Sequence, residues 1–492
     1  MKKFGIRLKH FFDPIDLTKG NILRVLLTFS IPVFISVFLV QLYGILESFL
    51  YGHSLLDIEI MGISNANASL YFVTNLVSGL SVGLSVISGN AIGANDIEKT
   101  RKSFVVQLLL TLVSTLIFTL IFLPTIDPLL EFTGVSKEAN SIIYEQSRNY
   151  IFAIYLGMIF ESLFYFLLNY IRSIGETSFS LVYVIGMIII STSFNLLFVM
   201  VCQLGVYGVA ISKYLGEFLV FCGGLLFLYI KRKDLRIKKE DFKFSFKFIA
   251  QHIKVSLPYG IQFAVIGIGL IFIQKTINSY GDNAIVAYNY STKYVDVMMS
   301  MFSALGTTIL AFASQNYGAK DYVRVKKGFW YSCVIALIIG ALWVVLGVTT
   351  SIDGKYLNLF LSQSSYDALN VGNFIYYTST YSIIAFSFSP ILGLVFITRN
   401  FLIGIKRPLF PFLSGLGETG ERISASYLYG KIADPINPLS NSGFFGFAFG
   451  QPLSWCMSVI IMLPPILYLF FSKKLEKEIK KASNDAMQNT HQ

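Results

Sequence analysis

Apolar residues in this chain gather into long blocks parted by short polar gaps. A helix rising 1.5 Å per residue needs about 20 mostly apolar residues to cross a hydrocarbon core about 30 Å thick. That ruler predicts twelve helices, near 25–50, 59–88, 104–123, 149–171, 178–200, 205–230, 254–279, 285–313, 328–349, 373–398, 408–429 and 444–471. The pair 408–429 and 444–471 is the weakest of them, since Glu418, Glu421 and Arg422 interrupt the first. The expected fold is an all-α membrane protein.

The gaps carry a directional signal. Lys and Arg accumulate on the cytoplasmic side of membrane helices. With the N-terminus inside, the inner segments hold 30 Lys and Arg, and the outer gaps hold four, Lys137, Arg148, Lys355 and Lys431. An even number of spans with both ends cytoplasmic follows, and one misjudged helix would destroy the contrast. The start, Met1 to Phe12, mixes Phe and Leu with Lys and Arg, as either a basic interfacial helix or an unstructured basic tail would. The end, from Lys473, reads as a solvated helix extension followed by disorder.

The chain also repeats itself. Gly93 to Lys102 and Gly318 to Lys327 share the pattern GAxDxx[KR]x[KR]K at an offset of 225, and Ser30-Ile31-Pro32 returns as Ser256-Leu257-Pro258 at 226. Two matches at nearly one offset indicate duplication. Six helices per copy start both copies on the same membrane face, so the repeats are parallel. The organisation expected is a basic N-terminal segment 1–24, a six-helix bundle 25–230, a basic cytoplasmic linker 231–250, a second bundle 251–471 and a tail 472–492. Two such bundles around a central cavity can open it to each face in turn, which favours a carrier over a channel built around a ring of subunits.

Composition closes off other classes. Charged residues are 14% of the 492 and apolar residues 54%, with a mean hydropathy of +0.64; soluble chains run near 25% charged. The formal charge of +11 sits in the short gaps, which argues against nucleic-acid binding. Cys202, Cys222, Cys333 and Cys456 lie in apolar stretches without ligand spacing and read as small buried hydrophobes. His10, His53, His252 and His491 fall in or beside polar segments, so neither metal nor catalytic roles are expected. No signal peptide is visible, because Asp13, Asp16 and Lys19 interrupt the start. No cofactor is implied.

Charges within apolar helices cost at least about 2.5 to 3.5 kcal/mol, so each should pair, face a cavity or titrate. Lys213 with Glu217, Lys293 with Asp296, and Glu418 with Arg422 are spaced i,i+4, i,i+3 and i,i+4, as local ion pairs. Lys275 lies near a helix end and can snorkel. Glu47 and Glu161 have no cation three or four positions away on their own helices. They are the candidates for a carboxylate that binds a cation from one side and releases it to the other, unless each meets a Lys or Arg from another helix. Tyr43, Asn169 and Asn195 can bridge helices or hold such a carboxylate.

At this point the sequence resembles a known family. Asp16-Leu17-Thr18-Lys19-Gly20-Asn21-Ile22, Ile31-Pro32 and the run Gln41 to Gly52 look like the opening of MATE (multidrug and toxic compound extrusion) transporters. The GAxD loop and its copy at Ser314 to Ala319, Arg172 to Thr177, Ser193-Phe194-Asn195 and Gly205 to Ala210 are similar to that family too. The likeness runs from about residue 16 to 470. It implies two six-helix bundles around a V-shaped cavity and export of organic cations or drugs in exchange for Na+ or H+. The family usually has Asp where this chain has Glu47, which keeps the carboxylate and lengthens it by one methylene.

The expected function is therefore efflux of small amphipathic or cationic organic molecules by a monomer in the bilayer, with H+ or Na+ as coupling ion. A flippase for a lipid-linked saccharide or cell-wall precursor is the alternative, and it would need Lys213, Lys275 and Lys293 unpaired to hold a pyrophosphate. A membrane-embedded enzyme would need convergent catalytic groups, which the sequence does not show.

Overall fold

The computed structural model describes residues 13–132, 135, 137–138, 141–359 and 373–472. The basic start Met1 to Phe12 and the tail from Lys473 lie outside them. Among the described residues, fourteen α-helices of eight residues or more carry the chain: α1 Ile22–Ser54, α2 Asp57–Gly93, α3 Ile97–Phe122, α4 Ser141–Ser173, α5 Thr177–Asn195, α6 Gly205–Lys231, α7 Phe246–Ser279, α8 Asp282–Gly318, α9 Tyr322–Ser351, α10 Phe374–Ser387, α11 Ser389–Gly404, α12 Leu409–Ser424, α13 Asn441–Ala448 and α14 Gly450–Phe471. Ten helical runs are long and apolar enough to span a membrane, and α10 with α11 forms an eleventh, bent by 52° at Phe388. The twelfth is α12. Its Glu418, Glu421 and Arg422 leave it less apolar, but a π-helical turn, Ala425–Tyr429, and an α-helical turn, Gly430–Ala433, carry it on. The twelve-helix reading fits.

Outward faces are apolar, as lipid requires. On α3, Val113, Leu116, Ile117 and Leu120 are exposed; on α9, Val334, Ile338, Leu342 and Val345 are. Contiguous apolar surface of this extent would aggregate in water.

The duplication extends to backbone conformation. In the two GAxD loops Asn95 and Lys320 both adopt positive φ, 56° and 61°. Asp96 and Asp321 follow at nearly identical dihedrals, and each caps the next helix by accepting from the backbone N–H three residues on, Lys99 and Arg324, both at 2.9 Å.

Two compact units divide the chain. The first comprises residues 1–20, 31–261 and 314–319, the second 21–30, 262–313 and 320–492. The division thus falls inside α7. In the first unit the N-terminal half of α7 is held by buried His252, whose Nε2 lies 2.8 Å from Ser103 Oγ on α3. Close approach also holds it: a Cβ on Gly83 would lie 2.5 Å from Ser256 Cα. The last turn of α8 packs in this unit as well. Gln315 Nε2 donates to Ser173 O at 2.8 Å, and Asn316 Nδ2 donates to Leu17 O at 3.0 Å. The linker is docked here by charge. Arg101 Nε lies 2.9 Å from Asp241, and Arg232 lies 3.3 Å from Glu176 and 2.8 Å from Asp234. Burial pushes the Glu176 carboxyl up against the opposing pull of Lys231 and Arg232, whereas the hydrogen bond from Arg232 holds Asp234 below the usual range.

In the second unit, α11 and α12 each pack against α14, and α9 packs against α10 and α11.

Candidate functional site

Three helices of the first unit, α1, α4 and α6, bring ionisable groups together, and α5 adds polar ones. Tyr43, Glu47 and Tyr51 recur every four residues along one stripe of α1. Glu47 is half-buried and accepts a hydrogen bond from Tyr51 Oη at 2.9 Å. Tyr43, Asn195 and Lys213 face the same carboxylate. Glu161 of α4 is 2% exposed and meets Lys213 Nζ of α6 at 3.2 Å. Glu217, one turn beyond Lys213, is buried with Oε2 unpartnered. Small residues make this possible: a Cβ on Gly216 would lie 2.0 Å from Ser191 Oγ, so α5 and α6 come close just where the acids gather.

Three carboxylates therefore gather near one ammonium group, which pairs with Glu161. Asn195 stands beside them, 1% exposed, with neither amide atom partnered, and the hydroxyls of Tyr43 and Ser191 are likewise buried and unpartnered. Acids in excess of ammonium groups, set among amide and hydroxyl oxygens, form a donor set of the kind that can hold a cation.

The second unit holds the opposite sign. Glu418 is gripped by Arg399 Nη2 and, at 3.4 Å, by Arg422 Nη2, while Arg422 Nε donates to Gln451 Oε1 at 3.0 Å and Arg399 Nη2 reaches Ser458 Oγ at 3.4 Å. All three charged residues are buried. Two guanidinium groups against one carboxylate leave Glu418 committed.

Several sequence expectations change. Glu161 is not a lone acid, because its cation comes from α6 and same-helix spacing cannot see it. Lys213 pairs with Glu161, and the i,i+4 partner expected for it, Glu217, keeps an unpartnered oxygen. Lys293 and Asp296 are both exposed and form no ion pair among the described residues; Lys293 instead lies over the Tyr290 ring at 5.9 Å. The Glu418–Arg422 pair forms, enlarged by Arg399. Asn169 donates to Ser81 Oγ at 3.0 Å, a bridge from α4 to α2 two turns along from Glu161. Arg172 and Arg399, assigned by sequence to inner gaps, are buried in the ends of α4 and α11. Cys202 and Cys222 are exposed, not buried.

Comparison with known proteins decides the family. The description of the MatE family matches residues 32–224 and 258–428, about three quarters of the chain. The chain belongs to the MATE family. This is a family of transporters, and among its curated relatives the chain is similar to the probable multidrug resistance protein YpnP of Bacillus subtilis (strain 168), 26% identical over 314 residues, 63% of this chain and 68% of that protein. It is similar also to the multidrug export protein MepA of Staphylococcus aureus (strain MSSA476), 21% identical over 370 residues, 73% and 77% of the two chains. Its fold resembles an outward-facing multidrug resistance MATE transporter of the MOP superfamily, with a TM-score of 0.80 at 16% identity over 95% of this chain and 99% of that one.

Within this MATE chain, sequence reasoning missed Tyr51, Ser191, Arg399 and Gln451. A signal existed for Tyr51, four residues from Glu47. Arg399 stood one residue past a span drawn to end at 398, and nothing in sequence marks Gln451 as facing Arg422.

Proposed function

We propose that this MATE protein is a secondary active exporter of small amphipathic or cationic organic molecules, driven by H+ or Na+ exchanged at Glu47, Glu161 and Glu217. Alternating access exposes these carboxylates to one membrane face and then to the other, with both termini cytoplasmic. The observation that carries this reading is the imbalance of three acids against one lysine, with Asn195, Tyr43 and Ser191 unpartnered beside them. Glu47 is the member open to exchange, since it is half-buried and holds no ion pair, whereas Glu161 is committed to Lys213. The names of the multidrug relatives support the substrate class. A precursor flippase is less well supported, because Lys213, the cation at the site, is already paired.

The test is efflux from proteoliposomes under imposed H+ or Na+ gradients with a panel of dyes and antibiotics. Gradient-driven export of organic cations is expected, and transport of a lipid-linked saccharide without export of any dye would overturn the assignment.

A further inference from the structure

The second unit contains a cavity of about 230 Å³ where the C-terminal end of α7 faces the π-helical continuation of α12. Its walls include Phe272, Tyr280, Tyr427 and Phe447, and its only ionisable groups besides tyrosine are Lys275 and Lys431. Neither lysine has an ion-pair partner among the described residues, and no carboxylate lines the cavity. The hydroxyls nearby are spent on backbone: Thr276 donates to Phe272 O at 3.1 Å, Ser426 to Arg422 O at 2.8 Å and Tyr280 to Pro438 O at 2.9 Å. Local geometry keeps the space open. The turn Ala425–Tyr429 is wound as a π-helix, a form that recurs at functional sites. At Gly430 a Cβ would sit 3.0 Å from Tyr280 Oη.

Lys275 and Lys431 are both exposed, and two ammonium groups lining one cavity offer an anion two charged contacts. The volume is below the roughly 300 to 1,000 Å³ of drug-sized sites, which argues against a transported drug as the occupant. Aromatic walls beside basic groups at the end of an apolar helical run match the headgroup level of a bilayer. We infer that this cavity binds a phosphate group carrying an apolar tail, the headgroup of an anionic phospholipid, with Lys275 and Lys431 on the phosphate and the aromatic rings on its glycerol.

The experiment measures phosphatidylglycerol retained by the full-length protein in native mass spectrometry after graded delipidation, for the wild type and for Lys275→Gln/Lys431→Gln. Thermal unfolding in nanodiscs of phosphatidylglycerol or phosphatidylcholine confirms that the variant folds. Screened lysine contacts at a membrane surface are worth about five-fold in affinity each, so the double variant should bind about 25-fold more weakly, and each single variant about five-fold. Lys243→Gln/Lys247→Gln, on the linker, is the control. Competition by millimolar inorganic phosphate would keep the phosphate site and name a soluble ligand as its source. Equal retention by wild type and double variant, or an equal loss in the control, would overturn the inference.

Discussion

Replacing Lys213 by Met keeps the bulk of the side chain and removes the cation that lies 3.2 Å from Glu161. The Glu161 side chain is 3% exposed, so water cannot take the place of the ammonium group. Breaking a buried pair in this way costs about 3 to 5 kcal/mol. Lys213→Met should therefore cost about 3 to 5 kcal/mol, and Glu161→Gln/Lys213→Met, which removes the stranded charge as well, should recover most of it. Reversible unfolding in mixed detergent micelles reads this directly. A deficit below about 1 kcal/mol, or one that the double variant does not recover, would refute the reasoning.

Four other outcomes follow from the same coordinates. Glu418→Gln strands two buried arginines and should cost about 3 to 5 kcal/mol in unfolding titrations, whereas Arg399→Met leaves the Glu418–Arg422 pair and should cost clearly less. Gly93→Ala places a Cβ 2.0 Å from the Gln315 carbonyl oxygen, a backbone atom that cannot yield; overpacking usually costs about 1 to 3 kcal/mol, so a loss at or above that range should appear in thermal stability. Asp434 accepts from Ser440 and from the amides of Ile436 and Asn437, and the Ser440 bond first of all holds its carboxyl below 3.8. Because its folded value is depressed, its stabilisation is present above pH 3.8 and is lost as pH falls through the folded value, so exchange protection of those two amides should drop there in wild type and not in Asp434→Asn. Glu47→Gln keeps an acceptor for Tyr51 and should leave unfolding within about 1 kcal/mol of wild type while abolishing gradient-driven efflux.

How much of this was legible in sequence depends on the range of the interaction. Span length is a local property, so eleven of the twelve helices could be drawn from apolar runs, and α12 was weak for a physical reason, its buried triad member Glu418 and neighbour Arg422. The GAxD repeat is matched by two loops that share positive φ and a capping Asp, because turn chemistry is local too. Pairing across helices was not legible. Glu161 is separated from Lys213 by 52 positions, and Arg399 from Glu418 by 19, so i,i+4 spacing favoured Glu217 as partner where packing chose Glu161. Helix ends misled in the same way: Arg172 and Arg399 counted as loop cations, yet α4 and α11 run on and bury them.

Proton or sodium release on substrate binding tests the central claim most directly. Purified protein in weakly buffered detergent solution is titrated with an organic cation while pH, or release of bound radioactive sodium, is followed. About one H+ or Na+ should leave per substrate bound in the wild type and none in Glu47→Gln; release at wild-type stoichiometry from Glu47→Gln would contradict the account.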